Sequence, residues 1–440
     1  MPRAEPPGTP GGRRRLTICA IGYASSPHVV ARVRCFAEMG HRVFLITETP
    51  SPGGIPGVTE LVPAWDQALA RRLWFRLLAA AGRRIGGRAV DDSWRLAIFV
   101  HMLRRCRPDI VHVHFAYSYY GWLAGLVGCR PLVVTVMGGD VLFEEQGNPT
   151  PAGKWLTLEL LRKADYITSK SHYLTEVLDH LGGFAPKCER VIWGVPLRRF
   201  RRVEATELRK RLGLAAGRRI VFSPKILQPL YRIHLVVEAM AEVRRRFPQA
   251  LLLVAEYSED LEYKAEIYQK IEELDLHGHV MFCGSIEHAE MAAYYSLAEI
   301  AVAVPVSDGL PQTLLEAMAC QTPNIVSRLP RYEEIVSHRE SAYFVTATPE
   351  GIAAGIAALL DDPCLRRKIA DNAAAIVARE GDLDRQAALV ADRYQTLAAT
   401  IRPRAVDLIG LLATVRSYCR YRRETHHAPL RGQRTEETLD

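Results

Sequence analysis

Residues 307–326 read SDGLPQTLLEAMACQTPNIV, and the fold turns on how this stretch divides. An apolar run over 300–304 reads as a strand, a tight turn follows, and a helix then starts with its first turn exposed. Pro311 suits the first helical position, because its missing N–H would have no intrahelical partner. The N–H groups of Gln312, Thr313 and Leu314 are then left pointing out of the helix start. Together with the positive end of the helix dipole they make a seat for an anion such as phosphate. Gly309 and Leu310 form the turn beside that seat. Glu316, three and four residues beyond Thr313 and Gln312, shares their helix face. Its carboxylate can accept from a vicinal diol, such as a ribose, beside the phosphate, and a phosphate seat with a diol acceptor is a nucleotide site. Two plainer readings stand beside this one. Asp308-Gly309 is a common turn pair, and Thr313-x-x-Glu316 is also a capping box, which would make Glu316 structural.

Outward from this stretch, strands alternate with helices. The second half reads as strands at 219–223, 251–255, 280–283, 300–304 and 324–326, with helices at 233–246 and 261–274. Helices at 350–360, 363–379 and 383–399 close it. The first half reads as strands at 16–22, 42–47, 109–114 and 132–137, with a helix at 29–39 and a turn at Gly40-His41. Such alternation implies parallel β-α-β units. Residues 194–202, rich in Gly, Pro and Arg, read as an interdomain linker, and 440 residues suit two domains. Ligands of such sheets bind beyond the carboxyl ends of the strands, where all these motifs fall. No G-x-G-x-x-G follows a strand, which argues against a dinucleotide-dependent dehydrogenase.

The acid-x7-Glu spacing of Asp308 and Glu316, with LLEAMAC at 314–320, resembles the E-x7-E signature of family 4 (group 1) glycosyltransferases. The resemblance spans roughly 16–399 and is most specific over 280–326. It implies α/β architecture with two doubly wound Rossmann-like domains facing a central cleft, the GT-B fold. The expected division is a disordered leader at 1–15, an acceptor-side domain at 16–195 and a nucleotide-sugar domain at 203–385. A closing helix at 386–401 and a basic tail at 402–440 follow. The resemblance also implies a retaining, metal-independent transfer from a nucleotide-diphosphate sugar to an acceptor hydroxyl. No cofactor is expected beyond that co-substrate, and the implied acceptor is a carbohydrate or lipid-linked molecule, such as a polysaccharide precursor. By the same resemblance Asp308, one methylene shorter than the usual Glu, would contact the sugar hydroxyls, and Glu316 the ribose. A GT-B epimerase or phosphorylase, or a catalytically silent sugar-nucleotide binder, stays open as an alternative.

Further residues follow strands. Lys225, in Ser-Pro-Lys after the strand at 219–223, and Arg232, seven residues on, could neutralise a diphosphate leaving group. Lys225 stands where the family has the Arg of a Gly-Arg pair, and Arg232 replaces its Lys at a longer spacing. Surface cations are the plainer reading of both. In DIVHVH, residues 109–114, His112 and His114 share one strand face. His114, nearer the strand's end, is the cleft candidate, and His112 reads as a core histidine. Gly138-Gly139 permits close backbone approach, and Asp140 could orient or deprotonate an acceptor hydroxyl, or simply cap a turn. The family's His near position 137 is replaced by Met137, which leaves the base unassigned. Ser26 and His28, in the loop after the first strand, are acceptor-side candidates.

Net charge is +8, but residues 1–200 carry +10 and residues 201–400 carry −5. The basic half calls for an acidic partner or is simply a solvated surface. Residues 70–85 place Trp74, Phe75, Leu77 and Leu78 beside five arginines, the pattern of a helix lying on an anionic membrane. Packing of that apolar face on its own domain is the plainer reading. The tail is too mixed in charge to argue nucleic-acid binding. Nine dispersed cysteines, no C-x-x-C and no long apolar span fit a cytoplasmic protein, peripheral at most on the inner membrane face. No metal motif is expected.

Overall fold

The computed structural model describes residues 14–63, 87–143, 149–256 and 260–427. The leader up to residue 13 and the basic helix expected at 70–85 lie outside these.

The first domain is a seven-stranded parallel sheet in the order β3-β2-β1-β4-β5-β6-β7. Its strands are β1 (Thr17–Ile21), β2 (Arg42–Ile46), β3 (Val58–Leu61), β4 (Ile110–Val113), β5 (Leu132–Thr135), β6 (Tyr166–Ser169) and β7 (Cys188–Arg190). Its helices are α1 (Pro27–Glu38), α2 (Gly87–Cys106), α3 (Tyr119–Val127), α4 (Pro151–Lys163) and α5 (His172–Gly182). β4, β5 and β6 are buried at every position, as strands covered on both faces must be. Ser118, Thr150 and Ser171 set the starts of α3, α4 and α5, each side chain accepting a backbone N–H three residues on.

The second domain is a six-stranded parallel sheet in the order β10-β9-β8-β11-β12-β13. Its strands are β8 (Arg219–Ser223), β9 (Ala250–Val254), β10 (Val280–Phe282), β11 (Ile300–Ala303), β12 (Asn324–Ser327) and β13 (Tyr343–Val345). Helices α6 (Thr206–Arg211), α7 (Ile233–Arg246), α8 (Leu261–Glu273), α9 (Met291–Leu297), α10 (Gln312–Ala319), α11 (Pro330–Glu333), α12 (Pro349–Asp361) and α13 (Pro363–Glu380) cover it. Each sheet has an apolar cluster on either face. The expected pair of doubly wound domains is therefore present.

The chain crosses between domains twice, side by side. Val195 N–H donates to the Gly381 carbonyl at 2.7 Å, and Leu383 N–H to the Val195 carbonyl at 3.1 Å. Gly194, at φ +29°, has to be glycine, because a Cβ there would overlap the Gly381 carbonyl. The return crossing precedes Leu383, a few residues before the expected boundary. Helix α14 (Leu383–Thr400) then packs Leu383, Ala387, Val390 and Tyr394 into the first domain's core beside Val33, Phe36 and Trp193.

The expected tail contains a further helix, α15 (Leu408–His427). Asp407 N–H bonds the Val127 carbonyl at the end of α3, and Tyr418 and Tyr421 meet Trp155 of α4 at 5.1 and 5.9 Å. Among the described residues, no helix is long and apolar enough to cross a membrane.

In each sheet the strand order reverses beside the first strand, between β1 and β4 and between β8 and β11. Loops at these switch points form ligand sites in open parallel sheets. Here the two switch points face each other across one seam.

Candidate active site between the two domains

From the C-terminal side, α10 presents a start that no side chain caps. Pro311 is its N-cap and not its first helical residue, so the helix starts one residue later than expected. The backbone reaches this start through Leu310 in the left-handed region, φ 72°, an unfavourable conformation for a leucine. Leu310's side chain, with Leu314, is locked in the domain core, so only its backbone faces the seam.

Asp308 lies in the loop after β11. Its Oδ1 accepts from Gly309 N–H at 2.8 Å, and its Oδ2 meets Lys225 Nζ at 2.6 Å. The pair is buried, with side chains 15 % and 6 % exposed, and Lys225 Nζ lies 4.9 Å from the Tyr231 ring centroid. Lys225 and Asp308, expected to serve different parts of one donor, thus hold each other.

Glu316 is 3 % exposed, with Oε1 3.0 Å from His288 Nε2 and Oε2 accepting from Tyr295 O–H at 3.1 Å. The capping-box reading fails. Thr313 is not the N-cap, its hydroxyl has no partner, and Glu316 bonds α9 and the preceding loop instead. Thr313 faces a small pocket with Pro224, Asn324 and Tyr332, inside the C-terminal domain. Gln312 donates Nε2–H to the Gly194 carbonyl at 2.8 Å, so it braces the linker, while its Oε1 stays unpartnered. Arg232 is the left-handed residue before α7, φ 51°, and among the described residues it shares no hydrogen bond with Lys225. The 3-10 turn Pro229–Tyr231 lies between the two cations in the chain.

On the N-terminal side the expected base is a clamp. Asp140 is fully buried, Oδ2 accepting from Ala116 N–H at 2.7 Å and Oδ1 from Met137 and Gly138 N–H at 2.9 and 3.0 Å. Burial raises its pKa, and these three backbone bonds oppose the rise. The carboxylate ties the loops after β4 and β5 together and is 0 % exposed, out of reach of an acceptor hydroxyl in this arrangement.

His112 is the core histidine expected, held between Thr135 Oγ1 at 2.7 Å and the Tyr394 hydroxyl. His114 is 2 % exposed with both ring nitrogens unpartnered, and burial holds its pKa well below 6.5, so the ring is neutral. His28, at the start of α1, sets its ring 6.3 Å from that of His288, edge to face across the seam. Its pKa is also well below 6.5, through burial and then the nearby charges of Lys170, Arg32, His288 and Lys225. Ser26 is the N-cap of α1 without a side-chain bond, and it lines neither seam cavity.

The seam is shut by backbone contact. A Cβ on Gly309 would run into the Met137 carbonyl, and one on Gly138 would lie 2.8 Å from Gly309 Cα. Glu334, just beyond α11, accepts from His172 and Tyr173 N–H at 2.7 and 2.8 Å, capping the start of α5 in the other domain.

Four residues here escaped the sequence reading. His288 and Tyr295 bear on Glu316, and Lys170 and Arg32 approach from the N-terminal domain. Lys170 follows strand β6, so the end-of-strand rule could have found it. Arg32 falls on the buried face of α1 with Val29, Val33 and Phe36, and a charge on an apolar stripe was its signal.

Two doubly wound domains joined at their switch points, with an uncapped helix start and a lysine at the seam, define the GT-B class. Residues 204–375 match the family model described as Glycosyl transferases group 1, and residues 26–199 match Glycosyltransferase Family 4. The chain belongs to the family 4, group 1 glycosyltransferases. It is 25 % identical over 396 residues to D-inositol 3-phosphate glycosyltransferase 2 of Catenulispora acidiphila, covering 85 % of this chain and 90 % of that one. It is 28 % identical over 318 residues to the alpha-monoglucosyldiacylglycerol synthase of Streptococcus pneumoniae, covering 69 % and 67 %. Among solved structures it resembles Anabaena Alr3699/HepE in complex with UDP and glucose. The TM-score is 0.71 at 16 % identity, over 87 % of this chain and 100 % of that one.

Proposed function

We propose that this glycosyltransferase moves a sugar from a nucleoside-diphosphate sugar to an acceptor hydroxyl, with retention and without a metal ion. The observation that carries the reading is the uncapped start of α10 at the β8/β11 switch point, beside buried Lys225. Negative charge grows on the diphosphate as the glycosidic bond breaks, and the helix start and Lys225 are positioned to meet it. Asp308 holds Lys225 in place and can turn to the sugar hydroxyls when phosphate takes over the lysine. Each Glu316 oxygen keeps a second lone pair, so a ribose diol can share the carboxylate with Tyr295 and His288. Neutral His114 is the N-terminal group free to exchange a hydrogen bond with the sugar. Because Asp140 is clamped, the departing phosphate oxygen takes the acceptor's proton on the face it leaves, which fits retention. The Anabaena protein's UDP and glucose support this donor class.

The test is a thermal-shift and turnover screen of UDP-, GDP- and ADP-sugars, with the product anomer read by NMR and EDTA added in parallel. A donor at about 100 times its Kd should stabilise the fold by about 2.7 kcal/mol. A protein that no sugar nucleotide stabilises, or a product of inverted configuration, overturns the reading.

We also propose a lipid-linked or polysaccharide-precursor acceptor, reached by peripheral contact with an anionic membrane. The Streptococcus relative's lipid product supports this, as does α15. Leu408, Ile409 and Leu412 of α15 are 64 %, 83 % and 61 % exposed, and exposed Arg416 and Arg420 extend the same side of the helix. Arg402 and Arg404 line a cavity at its base. Sedimentation with anionic and zwitterionic liposomes should show salt-sensitive binding that Leu408→Ser with Leu412→Ser weakens. Equal recovery in the supernatant with both lipids would discard membrane contact. The helix at 70–85 is tested alongside by changing Arg71, Arg72 and Arg76 to Glu.

A further inference from the structure

The acids at the seam are all engaged. Asp308 holds Lys225, Glu316 holds His288 and Tyr295, and Asp140 is taken up by three backbone N–H groups. Two cations of the N-terminal domain have no such partner. Arg32 is 1 % exposed and lies 4.7 Å over the Trp193 ring, with Nη1 directed at Met137 Sδ and both Nε and Nη2 unpartnered. Lys170 is 3 % exposed, and its Nζ donates to the Leu310 carbonyl at 3.1 Å, immediately before the α10 start. Neither makes an ion pair among the described residues.

A buried cation without an ion-pair partner works against folding. Burial and the nearby charge of Arg32 lower the Lys170 pKa to about 7, against the opposing pull of Asp308 and Asp140. Both cations are aimed at the seam. Arg32 lines an enclosed cavity with His28, Trp193, His288, Gln312 and Glu316. Pro27, Ala31, Pro196, His288 and Leu383 line both that cavity and a larger one of about 740 Å3 on the same side. An anion entering from the larger space would reach a guanidinium set over a tryptophan ring. Lys170 approaches the α10 start from the other domain, and its three-donor ammonium uses one bond.

We propose that Arg32 and Lys170 form an anion subsite of the N-terminal domain, which takes a phosphate or carboxylate carried to the seam by the donor or by the acceptor. The subsite rests on the glycosyl-transfer reading only for the identity of the ligand that carries the anion.

The test is calorimetric titration of the full chain at low salt with inorganic phosphate, alone and with saturating UDP, GDP or ADP. It is run on wild type, Arg32→Gln, Arg32→Lys and Lys170→Gln, each first checked for a cooperative melt. Either Gln variant should weaken phosphate binding by about tenfold or more, and Arg32→Lys should retain most of it. Phosphate binding that persists beside a saturating nucleotide places the anion on the acceptor. Phosphate displaced by nucleotide, with both Gln variants losing nucleotide affinity, places it on the donor. Phosphate and nucleotide affinities unchanged in both Gln variants overturn the proposal, as does a wild type that binds neither. Phosphate binding without any nucleotide binding would instead remove the donor reading and leave the subsite standing.

Discussion

Asp308, Glu316 and Glu334 come to the seam from the C-terminal domain, and each has a cation, a hydroxyl or a helix start as partner. Arg32 and Lys170 come from the N-terminal domain, and neither makes an ion pair among the described residues. The acids of the C-terminal face are thus each held by a partner, whereas the two cations of the N-terminal face lack an ion pair and, on the proposal above, await a ligand. The 308–316 stretch that resembles the family signature lies on the first face.

The strongest way to break this comparison is to keep the faces apart. Gly309→Val would drive a side chain into the Met137 carbonyl. We expect kcat to fall by about 100-fold or more, because a displacement near 1 Å costs that much, while nucleotide affinity stays within about threefold. The affinity should survive because α10 and Lys225 both belong to one domain. An unchanged kcat would mean that the closed seam is not the reacting arrangement.

Removing charge from each face should then have opposite effects on stability. Lys225→Ala strands buried Asp308 and should cost about 3–5 kcal/mol, with Lys225→Ala/Asp308→Asn recovering part of it. Arg32→Met removes a lone buried cation at the loss of a stacking contact worth about 2 kcal/mol at most, so its melting temperature should hold or rise. If Arg32→Met melts as early as Lys225→Ala, Arg32 is a structural brace and the asymmetry is gone.

Much of the first contrast was readable in the residues. Apolar runs bounded by helical stretches marked β1, β2, β4, β5 and β8 to β12 to within a residue or two. β7 and β13 are three residues long, β3 carries polar residues at an edge, and β6 carries no Gly or Pro boundary, so none stood out. The tail helix was missed because Thr414, Tyr418 and Tyr421 form its packed face only once Trp155 is beside them. At the site, spacing picked out Glu316, but its partners His288 and Tyr295 lie 28 and 21 residues earlier and meet it only through the fold. Asp140 shows the reverse failure. Its position after a strand was right for a base, yet three backbone N–H groups within reach make it a clamp, and no side-chain pattern announces that.

Glu316→Gln sharpens the C-terminal half of the comparison. The carboxylate serves as a brace for His288 and Tyr295 in the folded chain and as the proposed ribose acceptor. Loss of a charged hydrogen-bond acceptor should raise the donor Kd by a factor equivalent to about 1.5–3 kcal/mol. The melt should drop by less than for Lys225→Ala, since the amide fills the same volume. A lowered melting point with an unchanged donor Kd would leave Glu316 as a brace alone.

The smallest effect should come from acid, and it tests the N-terminal half. His28, His112 and His114 are all held well below 6.5, chiefly by burial, and Arg32's charge adds to the shift at each of them. A histidine whose folded pKa is depressed binds fewer protons than its unfolded counterpart between that folded value and 6.5. Stability therefore rises with pH through this window and falls on acidification below 6.5, by up to about 1.4 kcal/mol per pH unit for each histidine. Melting temperatures at pH 7.5, 6.5 and 5.5 should show little loss over the first interval and a clear loss over the second. His114→Asn cannot titrate and should remove one of the three contributions over the second interval, and Arg32→Met should reduce the loss partly by withdrawing the nearby charge. Parallel curves for wild type and both variants would mean that these cations and imidazoles do not share one electrostatic environment.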